Sequence, residues 1–216
     1  MLPHHIITAV HFLAINISHY LDFPSARMIG AATFTGSVEH GEVTFQLHAT
    51  ILGPGSPIAA LLPWLDDHLD PRATITGFGL EPAAGLLAHG ASGAMPGITQ
   101  ALAGRGRQSV LELSPELTDN QPTAFIMACR NAGLPCSAPD DNDFAAWMTR
   151  RPVPLIHRLE LDVISVWRMA MARIGARTSL GAQVGSLIEQ HLIDWLRAAD
   201  FPAGAIQLAS LSATEG

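Results

Sequence analysis

Lysine is missing from this sequence: all twelve basic residues are arginine, and they are outnumbered by 19 acidic residues. The formal charge of −7, with a pI near 5.7, counts against a protein that coats nucleic acid through a broadly basic surface. A local basic groove remains open, with Arg105 and Arg107, the Arg150-Arg151 pair with Arg158, and Arg168, Arg173 and Arg177 as its candidate patches. Cysteine is nearly absent. Cys129 and Cys136 make no C-x-x-C, which leaves a disulfide framework or a zinc ribbon unsupported. There is no H-x-x-x-H or H-E-x-x-H for zinc hydrolysis, no G-x-S-x-G nucleophile elbow, and no G-K-[ST] to complete a phosphate loop. Long apolar runs are also lacking. Residues 6–17 are broken by His11 and Asn16 and are too short to span a bilayer, and no basic leader or cleavage site marks a signal peptide. The expectation is a cytoplasmic protein with no membrane partner.

What is present is apolar and well punctuated. Of the 216 residues, 48% are hydrophobic and 14% charged, enough to bury one large core and offset chain entropy. The 19 glycines and 15 prolines imply many short connections. Residues 6–17, rich in β-branched side chains, read as a buried strand. Strands over 28–34 and 42–51 follow, joined by a turn-rich 35–41 as a hairpin. Ser56 and Pro57 open a helix over 58–69, with Pro63 inside it as a source of a kink. A short strand at 73–78, a helix at 82–89, an extended 110–113 and a helix at 122–132 come next. Asp140 to Asp143 cap a helix from Phe144, then 153–156 and 158–162 read as extended and 163–174 as helix. Two further helical stretches cover 180–188 and 190–199. This order predicts a single α/β domain over 1–200, a mixed sheet flanked by helices, with 201–216 as a small polar tail.

The same order, with its motif-like segments, resembles the DEDD-type 3′–5′ exonucleases of the RNase H-like fold, in the manner of stand-alone exonucleases related to family B DNA polymerases. The likeness runs from Ile6 to Ile188. In that family the first strand carries D-x-E, whose two carboxylates share a face and hold divalent ions. Here Asn16 and Ser18 stand at those positions, and neither carries charge. Glu81, in Gly77-Phe78-Gly79-Leu80-Glu81-Pro82, matches the next acidic position; it also suits a helix N-terminus and nothing more. Residues 156–163, containing Asp162, resemble an H-x-D-L strand end, with an N-cap as the alternative role for Asp162. Residues 178–182 resemble the helix start S-L-x-x-(A/L), and His191 with Asp194 stands one residue short of the closing Y-x-x-x-D.

The resemblance therefore implies Glu81, Asp162 and Asp194 as catalytic carboxylates, with Asn16 and Ser18 facing the ligand and Mg²⁺ or Mn²⁺ as the cofactor of an active enzyme. Exchanging two anions for an amide and a hydroxyl removes most of the attraction for Mg²⁺. Two functions follow. One is a degenerate exonuclease-like module that binds nucleic-acid ends, a protein partner or a second copy of itself. The other is an active metal-dependent exonuclease with an incomplete carboxylate set. His11, within an apolar strand, reads as a buried, hydrogen-bonded histidine rather than a ligand, and the four tryptophans read as packing residues.

Overall fold

A computed structural model describes residues 5–17, 26–90, 96–114, 121–140, 142–176 and 179–213. Strand β1 (His5–Asn16) takes the centre of a five-stranded sheet whose order is β3-β2-β1-β4-β5. On one side it pairs antiparallel with β2 (Ala26–Glu39), which pairs antiparallel with β3 (Glu42–Ile51). On the other side Ile7 to Val10 pair in parallel with β4 (Thr74–Gly77), followed by parallel β5 (Val110–Glu112). A strand bonded on both edges and covered on both faces needs apolar residues in both phases of its alternation, as β1 has. Ala9, Leu13 and Ile15 enter one core while Val10 enters the other.

The hairpin is longer than its composition suggests. Residues 35–39 stay paired with 42–46, and the chain reverses only at His40-Gly41, where both residues have positive φ (53° and 88°). That is the conformation of a two-residue turn matching strand twist. Gly36 remains in the strand because it lies beneath an indole: a Cβ there would sit 2.5 Å from Trp167.

One helical layer covers the sheet with a 3₁₀ turn (Ile58–Ala60), α1 (Leu61–His68), α2 (Leu80–Gly90) and α3 (Pro96–Leu102). Pro63 falls in the first turn of α1, where no intrahelical donor is lost and no kink is needed. The opposite layer holds α4 (Gln121–Asn131), α5 (Asn142–Met148), α6 (Val153–Gly175), α7 (Ser179–Ala198) and α8 (Pro202–Ala213). The result is a mixed α/β domain with five strands and eight α-helices among the described residues.

Three segments differ from the sequence reading. Residues 153–162, expected to be extended, are the first half of one 23-residue helix. Leu155, Leu159, Val163, Val166 and Ala170 recur at three- and four-residue spacing and are all fully buried, so packing on the sheet outweighs the strand preference of the Val and Ile residues. Asp162 is consequently mid-helix, neither a strand end nor an N-cap. The two helical stretches expected over 180–188 and 190–199 are one helix, Ser179–Ala198. The expected polar tail instead forms α8, which packs against α6 and α7 and buries Ala203, Gln207 and Leu211. Among the described residues, no helix is long and apolar enough to cross a membrane.

Candidate functional site

Helix α6 crosses the sheet beneath β1, and its tight packing there brings Asp162 into the interior, 3% exposed. The carboxylate is saturated by a loop rather than by a metal-binding neighbour. The Ser137 amide donates to Oδ1 at 2.7 Å and the Ser137 hydroxyl to Oδ2 at 2.5 Å. His11, from the same face of β1 as Ala9 and Leu13, places Nε2 3.6 Å from Oδ2. Burial pushes the Asp162 carboxyl above its ordinary range, against the opposing pull of His11, Ser137 and Arg158. Burial likewise holds His11 below its usual value; Asp162 works against that shift and Arg158 with it.

The surroundings are equally closed. Arg158, one turn earlier on α6, is ion-paired with Asp143 of α5, and burial lowers its proton affinity. The Ser165 hydroxyl donates to the Pro135 carbonyl, so residues 135–137 are stitched to α6 at two points. Cys129 and Cys136 are free thiols beside this loop. Burial raises the proton affinity of both, and Asp162 adds to it. Such a node can join elements. Each carboxylate oxygen of Asp162 already accepts one hydrogen bond from Ser137.

The other expected carboxylates lie elsewhere. Glu81 is in the first turn of α2, on the opposite side of the sheet, half-exposed and ion-paired with Arg105 at 2.7 Å. The α2 N-terminus is satisfied instead by Glu112 of β5, which accepts from the Gly79 and Leu80 amides at 3.0 and 2.9 Å. Asp194 is on the exposed side of α7, 3.4 Å from Arg197. Asn16 closes β1 with its backbone opposite Ala26, and Ser18 lies outside the described residues. Glu81, Asp162 and Asp194 share no partner among the described residues. Among the described residues no group of three or more His, Cys, Asp or Glu is placed to hold a metal ion.

At the end of β1 the chemistry is cationic. Arg27 stands opposite Ile15 in the β1–β2 register. Its guanidinium lies 5.2 Å from the centroid of the Trp147 ring, and Nη2 donates to the Ser56 carbonyl at 3.1 Å. Trp147 is 5% exposed and donates through Nε1 to the Leu52 carbonyl at 2.6 Å, tying α5 to the end of β3. Beside this joint opens a cleft of about 450 Å³ between residues 51–56 and the α5–α6 junction, lined by Trp147, Arg150, Arg151 and Leu155. Arg150 and Arg151 are exposed and form no ion pair among the described residues, and Arg150 adopts a positive φ of 55°. Of the arginine patch foreseen at 150, 151 and 158, two members line the cleft while Arg158 is committed to Asp143.

Sequence reasoning missed Ser137 and Glu112. Their partners are 25 and about 33 residues away, and nothing in their local pattern signals the pairing. Arg27 was equally hidden, since its role depends on strand register.

No family model and no curated protein matches the chain. Among solved structures, a PPX-GPPA enzyme of Aquifex aeolicus is similar at 9% identity with a TM-score of 0.23, over 53% of this chain and 38% of that one. A likeness that low carries no argument about fold or function.

Proposed function

We propose that this chain is a catalytically silent relative of the DEDD-type exonucleases that binds nucleic-acid ends in the arginine-lined cleft beside the end of β1. The observation that carries the silent half is the state of Asp162. The one expected carboxylate that is buried is already hydrogen-bonded twice by Ser137 and faced by His11, with its charged form disfavoured. The central leading strand, antiparallel hairpin on one side and parallel strands on the other support the kinship. Fold kinship is an associational warrant for function, so the binding half rests on the cleft. There, the guanidiniums of Arg150 and Arg151, without an ion pair among the described residues, present the forked donors that suit phosphate.

The test uses 5′-labelled single-stranded DNA and RNA with Mg²⁺ or Mn²⁺. Binding by fluorescence anisotropy without shortening of the strand is expected. Strand shortening that disappears in Glu81→Gln would establish the active-enzyme reading instead. Failure to bind either nucleic acid would remove the proposal.

A further inference from the structure

The hairpin carries a polar stripe on the face opposite Phe34 and Phe45. Its cross-strand pairs are Thr33 with His48, Thr35 with Gln46, and Ser37 with Thr44. The last turn of α1 brings His68 over this stripe, where its ring centroid is 4.4 Å from that of His48 at 60°. Trp64 stacks on His68 with ring centroids 4.5 Å apart at 24°. His68 Nδ1 lies 2.6 Å from the Trp64 carbonyl oxygen. A carbonyl only accepts, so Nδ1 carries the hydrogen, and in the neutral ring the lone pair belongs to Nε2. This is the backbone contact that fixes the tautomer of a metal-binding histidine.

The space around the two rings is a cleft of about 500 Å³ with Asp66, Asp67 and Asp70 in its wall. Its arginine, Arg72, is committed to Asp70 at 2.8 Å and to Glu39 at 3.6 Å. Asp66 and Asp67 are exposed and form no ion pair among the described residues, so the cleft presents a negative field beside two imidazoles.

We infer that His48 and His68 form a two-imidazole site for a divalent transition-metal ion of the zinc, nickel or copper class. Imidazole selects these ions over Mg²⁺ or Ca²⁺, which prefer oxygen. An ion bonded to both rings at about 2.0–2.1 Å places the centroids about 4.5 Å apart at the angle of about 90° of a tetragonal or six-coordinate ion such as Cu²⁺ or Ni²⁺, and about 5.2 Å apart at the tetrahedral angle of Zn²⁺. The observed 4.4 Å matches the right-angled arrangement, and a tetrahedral Zn²⁺ would draw the rings about 0.8 Å further apart. No third His, Cys, Asp or Glu is grouped with the pair among the described residues, so water completes the coordination. The inference is independent of nucleic-acid binding.

The experiment is calorimetric titration with Zn²⁺ of protein freed of metal by chelator dialysis, with circular dichroism confirming that each variant is folded. Wild type and a His4→Ala/His5→Ala double variant are expected to share one Zn²⁺ site. His48→Ala and His68→Ala should each weaken that site by about tenfold or more, while His89→Ala leaves it unchanged. Retention of the site in folded His48→Ala and His68→Ala overturns the inference, as does its loss in the His4/His5 variant. Absence of Zn²⁺ binding by wild type up to about 1 mM overturns it too, and identifies the pair as stacked neutral rings.

Discussion

Ser137 donates both its backbone amide and its hydroxyl to Asp162, 25 positions further along the chain, closing the α4–α5 loop onto the middle of α6. Removing the acceptor strands two donors in a dry site. Asp162→Ala should therefore cost about 2–4 kcal/mol, whereas Asp162→Asn, which keeps one accepting oxygen, should cost less than half as much. Urea unfolding of the three proteins measures both. Two values below about 0.5 kcal/mol, the range of ordinary surface substitutions, would show that the link is structurally idle.

His11 makes stability depend on pH in a stated direction. Its folded-state pKa lies below the ordinary 6.5, so over that interval the unfolded chain binds more protons than the native one. The stability it contributes is present above pH 6.5 and is lost as pH falls through the folded value. Asp162 has the opposite sign: its raised pKa makes native stability fall as pH rises above 3.8. Between about pH 6.5 and 5, urea-derived stability should lose more toward acid in wild type than in His11→Gln. Asp162, ionised in the unfolded chain at these pH values, opposes that slope wherever its native carboxyl still holds a proton, so the difference between wild type and His11→Gln isolates the histidine. Parallel curves would exclude His11 as the titrating group.

The strand of mixed apolar phase, the hairpin and the starts of α2, α4, α5 and α7 were legible because each follows from a local pattern. Residues 6–17 alternate too little for a half-exposed strand, and His40-Gly41 is a turn of ordinary chemistry. Residues 153–162 were not legible. Val153, Ile156 and the Leu-Glu-Leu alternation at 159–161 imitate a strand, and only the sheet beneath α6 decides in favour of a helix. Of the site, Asp162 was visible as a residue but not in its role, since its partners His11 and Ser137 reach it through tertiary structure.

Helix α8 is held by a buried amide. Gln207 donates through Nε2 to the Leu161 carbonyl and the Ser165 hydroxyl, and accepts from Arg168. Gln207→Ala should lower stability by about 2–3 kcal/mol, and thermal melts should show one lowered transition rather than an early separate one. A separate low-temperature transition would mean that α8 is an appendage.

The cysteines should be quiet in the native protein. Burial and the nearby Asp162 carboxyl disfavour both thiolates, and the thiolate is the reactive form. With a disulfide-exchange reagent at pH 8, both should react slowly, Cys136 ahead of the fully buried Cys129, and quickly once urea unfolds the chain. A native thiol reacting at the rate of a free cysteine would contradict the closed node.

The arginine cleft yields the prediction that separates phosphate binding from base recognition. Guanidiniums that contact backbone phosphates release counterions, and for single strands each contact adds about 0.7 to the slope of log affinity against log salt. Arg150→Ala/Arg151→Ala should then flatten that slope by about 1.4 and weaken all oligonucleotide sequences to a similar degree. The two side chains are exposed and outside the packed interior, so the melting temperature should change little and affinity alone should report the loss. Arg158 supplies the contrast, because it is already ion-paired with Asp143. Arg158→Ala should destabilise the fold while leaving the salt slope unchanged in whatever fraction remains native. Equal salt slopes in wild type and the double variant would place the nucleic acid somewhere other than this cleft.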